Sequence, residues 1–317
     1  MEKNKVIYDW LSITSKIHTP QQLIEEIGMN QVTWELTKGA HGYQDRLYYD
    51  HISIHYNGRP DMPVWLEMSG QGCRAFETFG HGDYERLFQL VDYNSSEMNI
   101  TRLDVAFDDF TGILDMNRIC SDTLNQEYVS KATYWEVVQS AKGQTVIVGA
   151  PSSEVLIRIY DKARERGRED EIPHWVRVEI QMRNDRCKKF IQLPLGIGNK
   201  FSGVMMNYLR YVEPDEQDSN KWRWNLKDYW QVLLGNASAL SIYEKPGVEY
   251  NLLRCDNYVF NTAGNAIDAE IKIRGIEDFM KMLRERQTRN NPKYDRLVKE
   301  NSDMINERKL KGKQNND

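Results

Sequence analysis

One stretch of the 317-residue chain gathers side chains that could act on a phosphate. It reads Val155-Leu-Ile-Arg158-Ile-Tyr160-Asp-Lys162, then a charged turn over Ala163–Glu171, then Trp175-Val-Arg177-Val-Glu179-Ile-Gln-Met182. Side chains alternate along a strand. On the first run Leu156, Arg158, Tyr160 and Lys162 therefore share a face, opposite Val155, Ile157 and Ile159. On the second, Val176, Val178 and Ile180 share a face, opposite Arg177, Glu179 and Gln181. Paired as a hairpin, the two runs present one apolar face and one that holds a tyrosine, two arginines, a lysine and a carboxylate. A face of that kind is either solvated or a site.

Asn99–Phe110 divides in the same way, with Leu103, Val105 and Phe107 on one side and Arg102, Asp104, Ala106 and Asp108 on the other. Glu67, in Trp65-Leu-Glu67-Met68, is a further carboxylate. Carboxylates on adjacent strands repel unless a cation joins them, and two or three such oxygens suit Mg²⁺ or Mn²⁺. Such an ion polarises a phosphate while arginine neutralises developing charge. A tyrosine oxygen can then attack to give a covalent intermediate. A free phenol has a pKa of about 10, so the ion and Lys162 would have to favour the phenolate. The same residues also read as plain ion pairs, Asp104 and Glu179 against Arg102, Arg158 and Arg177, on a wet sheet face. Spacing alone leaves both readings open.

Other chemistry is less supported. His51 and His55, read as one strand, lie about 13 Å apart and cannot share a metal. His81 and His174 are isolated in sequence, and no GxxxxGK[ST] or GxGxxG occurs. Ser69-Gly-Gln-Gly-Cys73 reads as a tight turn, with a backbone anion nest as the alternative. No serine or cysteine stands in a triad context. The four cysteines form no CxxC pair, which argues against a zinc knuckle and for a reducing cytoplasm. No apolar run approaches the roughly 18 residues of a membrane span, and no leader is read. The formal net charge of −5 counts against broad nucleic-acid binding, although basic clusters occur at Lys162–Arg168 and Lys281–Arg289.

The elements that must position these residues follow from the same patterns. Strands are expected at Val6–Ser12, Val32–Thr37, Arg46–Tyr56, Val64–Met68, Asn99–Phe110 and Thr145–Val148, with Asn57-Gly58 as a hairpin turn. Thr19 with Pro20 starts a helix. Asp83–Tyr93 has helical spacing, and Asp115–Leu124 is expected as a helix over the Asn99–Phe110 strand. Helices are further expected at Lys188–Leu193, Phe201–Val212, Leu226–Leu234, Ile276–Gln287 and Tyr294–Lys309. The fold class is α+β: a central, largely antiparallel sheet carries the active site, and the C-terminal region is helical. The division is 1–212 catalytic, 213–225 linker and 226–317 helical, with 311–317 disordered. No internal repeat is read.

Thr101-Arg-Leu-Asp104-Val-Ala-Phe-Asp108, Ile157-Arg-Ile-Tyr160-Asp-Lys162 with Arg164-Glu-Arg166, and Trp175-Val-Arg-Val-Glu179-Ile resemble, in order and spacing, the Rep-trans family. That family comprises rolling-circle plasmid and phage replication initiators and related relaxases of conjugative elements. Tyr8-Asp-Trp-Leu-Ser12 and Glu67-Met-Ser-Gly-Gln-Gly-Cys-Arg74 are similar to its replication-initiation-factor subgroup. The resemblance spans roughly Val6 to Met182. It implies Tyr160 as nucleophile, a divalent metal on Asp104 and Glu179 with Glu67 as third ligand, and Asp108 about 7 Å off that position. Arg158, Lys162 and Arg177 would contact the scissile phosphate, and Arg164–Arg168 would track the backbone with salt-sensitive affinity. The implied reaction nicks origin DNA, double-stranded or extruded as a hairpin with a single strand at the nick. It leaves a 5′-phosphotyrosine and a 3′-OH and rejoins the strand without ATP. Host polymerase, a helicase and a homodimer are the implied partners, and Lys281–Arg289 is the DNA-facing candidate in the helical region. The alternatives are a conjugative relaxase, a non-catalytic DNA-binding control protein, and a soluble α+β protein with an ion-paired sheet face.

Overall fold

Ten antiparallel strands in the order β2-β3-β4-β5-β1-β6-β11-β10-β9-β8 form the frame of the computed structural model. It describes residues 2–239 and, beyond them, 255, 259, 264–285, 298–299 and 301–302. The strands are β1 (Lys5–Ser15), β2 (Glu35–Lys38), β3 (Asp45–Tyr49), β4 (Ile52–Tyr56), β5 (Val64–Met68), β6 (Met98–Asp109), β8 (Trp135–Ser140), β9 (Gly143–Val148), β10 (Val155–Asp161) and β11 (Val176–Arg183). A separate pair joins β7 (Tyr128–Ser130) to β12 (Leu209–Tyr211). Helices are α1 (Pro20–Glu26), α2 (Gly70–Phe79), α3 (Tyr84–Tyr93), α4 (Met116–Leu124), α5 (Lys162–Glu165), α6 (Asp185–Ile191), α7 (Ile197–Tyr208), α8 (Asp228–Ala239), α9 (Gly264–Arg274) and α10 (Ile276–Glu285). This is the expected α+β class with an antiparallel sheet.

One face of the sheet is apolar. Leu11, Ile13, Leu103, Val105, Phe107, Val178 and Ile180 join Leu23, Phe76, Phe88 and Phe201 from the helices in one buried core. Burial of such side chains contributes roughly 1.5–3 kcal/mol each, and it fixes register, because a one-residue slip would turn every core side chain to the other face. The opposite face carries the polar residues, several of them buried, among them Asp104, Glu179 and His55.

The sheet is two similar halves. In the first, β1 leads through α1 into a β2–β5 meander that returns β5 to pair with β1. In the second, β6 leads through α4 into a β8–β11 meander that returns β11 to pair with β6. Helices follow each return, α2–α3 and α6–α7. A pseudo-twofold lies between β1 and β6. Leu11 faces Leu103 on it, and Trp10 facing Asp104 is balanced by Ser12 facing Arg102. The two register shifts, at Tyr8/Trp10 and Ser12/Ile13, are also symmetric and leave Asp9 and Thr101 as the extra residues. No repeat was expected from sequence because corresponding open-face positions hold unlike residues: Ser12 and Asp104, His55 and Arg158, Trp65 and Glu179.

Several local expectations are corrected. Arg46–Tyr56 is not one strand but the hairpin β3–β4, turned at Asp50 (φ 37°) and His51 (φ 66°), so His51 is in the turn. Ser69–Cys73 is not a tight turn; Cys73 N–H bonds to Ser69 O at 2.7 Å and opens α2. Gly72 allows that start, because a Cβ there would stand 2.2 Å from His51 O. Lys162, read as the end of the first strand, instead opens α5 together with 163–165 of the charged turn. The segment read as helix to Val212 ends at Tyr208 and continues as β12. α4 packs mainly on β9 rather than on β6. β8 was not anticipated. The α1 start is as expected: Thr19 caps the helix, Pro20 is its first residue, and Thr19 and Gln22 form a reciprocal capping box.

Residues 213–225 form a loop closed at its base by Glu213 N–H bonding to Asn225 O at 2.8 Å. Beyond it, α8 buries Trp230 and Leu233 in the core beside α7. Ile276–Gln287 is helical over Ile276–Glu285. Most of Tyr294–Lys309 and the 311–317 tail lie outside the described residues. Cys73, Cys120 and Cys187 are buried free thiols, and Cys255 is partly exposed. Among the described residues no helix is long and apolar enough to cross a membrane. Leu103, fully buried on the pseudo-twofold, tests the frame: Leu103→Ala should cost ~2–5 kcal/mol, read as a lower urea midpoint at unchanged slope.

Candidate active site

The open face of the second half is indented by a cleft of about 480 Å³ lined by Asp9, Trp10, Ser69, Arg102, Asp104, Thr145, Arg158, Tyr160, Glu165, Arg166 and Glu179, among others. The β10–β11 register builds its floor, with Arg158 opposite Glu179 and Tyr160 opposite Arg177. The Tyr160 hydroxyl donates to Glu179 Oε2 at 2.9 Å. Arg158 pairs with Glu179 Oε1 and lies 3.8 Å from Asp104 Oδ2. Arg102 grips Asp104 with both its Nε (2.9 Å) and its terminal nitrogen (2.6 Å). Lys162 Nζ stands 3.4 Å from the Tyr160 oxygen and 2.8 Å from Glu165 Oε2. Tyr160, Arg158, Lys162, Asp104 and Glu179 are thus brought together.

Charges in this cleft are strongly coupled. Burial, then the Glu179 charge, pushes the Tyr160 phenol well above its ordinary value, with Arg177 opposing. Burial and the Arg177 charge lower the Lys162 ammonium. Against burial, Arg158 and Arg177 hold Glu179 below the usual carboxylate range. Burial, against the Arg102 hydrogen bonds and with the Glu179 charge, pushes Asp104 up to about 7. The resting tyrosine is therefore a neutral phenol hydrogen-bonded to an ionised carboxylate.

Arg177 lies beneath the cleft, not in it. Its Nε and one terminal nitrogen bond Asp108 at 2.7 and 2.8 Å, and the other bonds Asp9 Oδ2 at 2.7 Å. Trp175 Nε1 also donates to Asp108 Oδ1, at 2.7 Å. Asp108 is therefore committed to Arg177, and Arg177 to bracing β11 against β6 and β1. Glu67 stands away from the cleft, on β5 opposite Ser12 and Ser53. It is not joined to Asp104 and Glu179, because β1 lies between β5 and β6. Among the described residues no three potential ligands cluster for a metal. Asp104 and Glu179 still fit a hard ion that keeps several waters, since they are oxygen donors whose buried charges oppose one another.

Sequence alternation missed Asp9. As the extra residue of a bulge it is aimed at the open face beside Trp10, while Tyr8 and Leu11 both enter the core. Ser69–Cys73, read as a tight turn with an anion nest as the alternative, is instead the N-terminus of α2, whose Ser69, Gly70 and Gln71 form one wall of the cleft. Such helix starts favour anions. A Cβ at Gly70 would come within 2.8 Å of Asp9 Oδ1, so glycine allows the close approach. The three adjacent small or polar residues were the available signal.

His174 Nε2 lies 3.0 Å from Asp109 Oδ2, and this hydrogen bond raises the histidine pKa. The imidazole is about a third exposed, so the pair contributes at most about 1 kcal/mol. A raised folded pKa means that the contribution is whole below the ordinary value of 6.5 and fades as pH rises through the raised one. The gap in urea midpoint between wild type and His174→Ala should be larger at about pH 6 than at about pH 9.

Known proteins place this architecture. Residues 98–285 match the family profile "Replication initiation factor", and residues 5–92 match "Rolling Circle replication initiation protein N-terminal domain". NicK of Bacillus subtilis (strain 168), provisionally named a DNA relaxase, is 26% identical over 275 residues, 78% of each chain. The solved rolling circle replication initiator protein of Geobacillus stearothermophilus superposes with a TM-score of 0.68 at 30% identity, over 75% of this chain and 98% of that one. With both segments matched in order and the fold shared, this chain belongs to the rolling-circle replication initiation factor family.

Proposed function

We propose that the protein is a metal-dependent DNA strand transferase in which Tyr160 attacks a phosphodiester at a replication origin. The observation that carries the reading is the Tyr160 hydroxyl held 2.9 Å from an ionised Glu179, in a cleft large enough for a backbone phosphate. Glu179 accepts the phenolic proton along that bond. Lys162 Nζ, 3.4 Å away, stabilises the phenolate. The Tyr160 oxygen bonds to phosphorus as the P–O3′ bond breaks, and the released 3′-oxygen takes a proton from solvent. The products are a 5′-phosphotyrosine and a 3′-OH that primes synthesis. Reversal by a 3′-OH rejoins the strand, so no nucleotide is consumed. Arg158 and Arg102, on the cleft wall, neutralise charge on the phosphate. Arg177 is assigned to bracing Glu179 and Tyr160 rather than to substrate contact.

Asp104 and Glu179 are the residues that would hold Mg²⁺ or Mn²⁺, which when bound polarises the scissile phosphate. Glu67 is not assigned to it, because β1 separates it from the other two. Mn²⁺ affinity measured by calorimetry should fall in Asp104→Asn, independently of any nicking. The NicK similarity favours a second reading, nicking at a transfer origin for conjugation, with the same residues. The partners are origin DNA and host replication proteins in the cytoplasm.

A supercoiled plasmid bearing the origin, incubated with Mn²⁺, should be converted to open circles by wild type and not by Tyr160→Phe. Glu179→Gln should slow nicking by ~10²–10⁴-fold. Nicking by Tyr160→Phe at the wild-type rate would overturn the assignment.

A further inference from the structure

At two central positions the half of the sheet without Tyr160 carries rings where the other half carries charges. The pseudo-twofold sets Trp65 where Glu179 lies and His55 where Arg158 lies. In place of the Arg158–Glu179 ion pair, His55 stacks on Trp65, with centroids 4.6 Å and planes 21° apart. Tyr43 packs 6.1 Å from Trp65, and His41 meets the ring edge-on with centroids 5.4 Å apart. Trp65 Nε1 donates to Ser12 Oγ at 2.6 Å. That bond satisfies the polar edge of the indole and fixes the half-buried ring. Helices α1 to α3 bury their apolar residues against the opposite face of the sheet, so the cluster is not core.

This surface runs into the cleft. Arg46, opposite His55, lies over the Tyr48 ring at 5.1 Å. On the other flank Arg102 lies over the Trp10 ring at 4.1 Å while gripping Asp104. Glu67 shares the face; burial raises its carboxyl pKa, with the Arg102 charge the first of those opposing it. β5 and β10 are four strand spacings apart, about 19 Å. Fixed aromatic faces flanked by guanidinium groups and continuous with a phosphate-sized cleft are what sequence-tolerant binding of unpaired bases requires.

We propose that Trp65, supported by His55 and Tyr43 and flanked by Arg46 and Arg102, is a stacking platform that holds unpaired bases of the DNA strand entering the Tyr160 cleft. This deepens the nicking reading and rests on it for the identity of the strand. The halves of the duplicated sheet then divide the work, one holding bases and the other breaking the backbone.

The test is binding of a fluorescently labelled oligodeoxythymidylate, followed by anisotropy with EDTA present, so that neither cleavage nor metal enters the result. Trp65→Ala should weaken binding by about 5- to 150-fold, the effect of losing one base–ring stack. Trp65→Phe should recover most of it, and a blunt duplex should bind Trp65→Ala within about threefold of wild type. Tyr43→Leu, on the rim of the cluster, should weaken the single strand in the same sense, which keeps the test open if Trp65→Ala does not fold. Unchanged oligodeoxythymidylate affinity in a folded Trp65→Ala protein would overturn the proposal. An equal loss for single strand and duplex would do so too, because it marks a general effect on the sheet. Absence of nicking by wild type would instead count against the Tyr160 reading and leave this measurement intact.

Discussion

Arg158 facing Glu179 across β10 and β11 is the constraint on which the rest of the site depends. That register sets Tyr160 within hydrogen-bond reach of Glu179 and puts Arg177 beneath both. It is fixed from the other face, where Ile157, Ile159, Val178 and Ile180 are buried. The hydrophobic face therefore decides which polar side chains meet on the open one. Both the phenol and the carboxylate sit in low dielectric, so each charge there acts strongly on its neighbours. The Arg177–Asp108–Asp9 cluster extends the same logic downward, since a buried cation needs paired anions.

The duplicated sheet gives this constraint a context. Both halves offer an open face with helices behind, and both close on the Leu11–Leu103 pair. At the positions that hold Arg158 and Glu179 in one half, the other half has a histidine and a tryptophan. Arg102 joins the two, gripping Asp104 on one side and covering Trp10 on the other.

Much of the grouping of polar side chains was legible because strand alternation is local. The faces of Val155–Asp161, Val176–Arg183 and Met98–Asp109, and hence the grouping of Arg158, Tyr160, Glu179 and Asp104, follow from a period of two. What escaped depends on non-local geometry. Asp9 breaks the alternation because a bulge re-aims it. Glu67 was grouped with Asp104 because sequence does not say which strands are adjacent, and β1 intervenes. Arg177 was read as a substrate contact because alternation gives a face but not a depth, and both faces of β11 are buried. The start of α2 was hidden by glycines, which read as a turn but here admit close backbone contacts. The repeat was invisible because it survives in topology and register rather than in residue identity.

The most direct test of the central claim is to trap wild-type protein on a labelled origin oligonucleotide, digest it with protease and sequence the nucleotide-bearing peptide by mass spectrometry. The nucleotide should be attached through its 5′-phosphate to the peptide containing Ile157-Arg-Ile-Tyr160, at Tyr160. Attachment at any other residue would contradict the account.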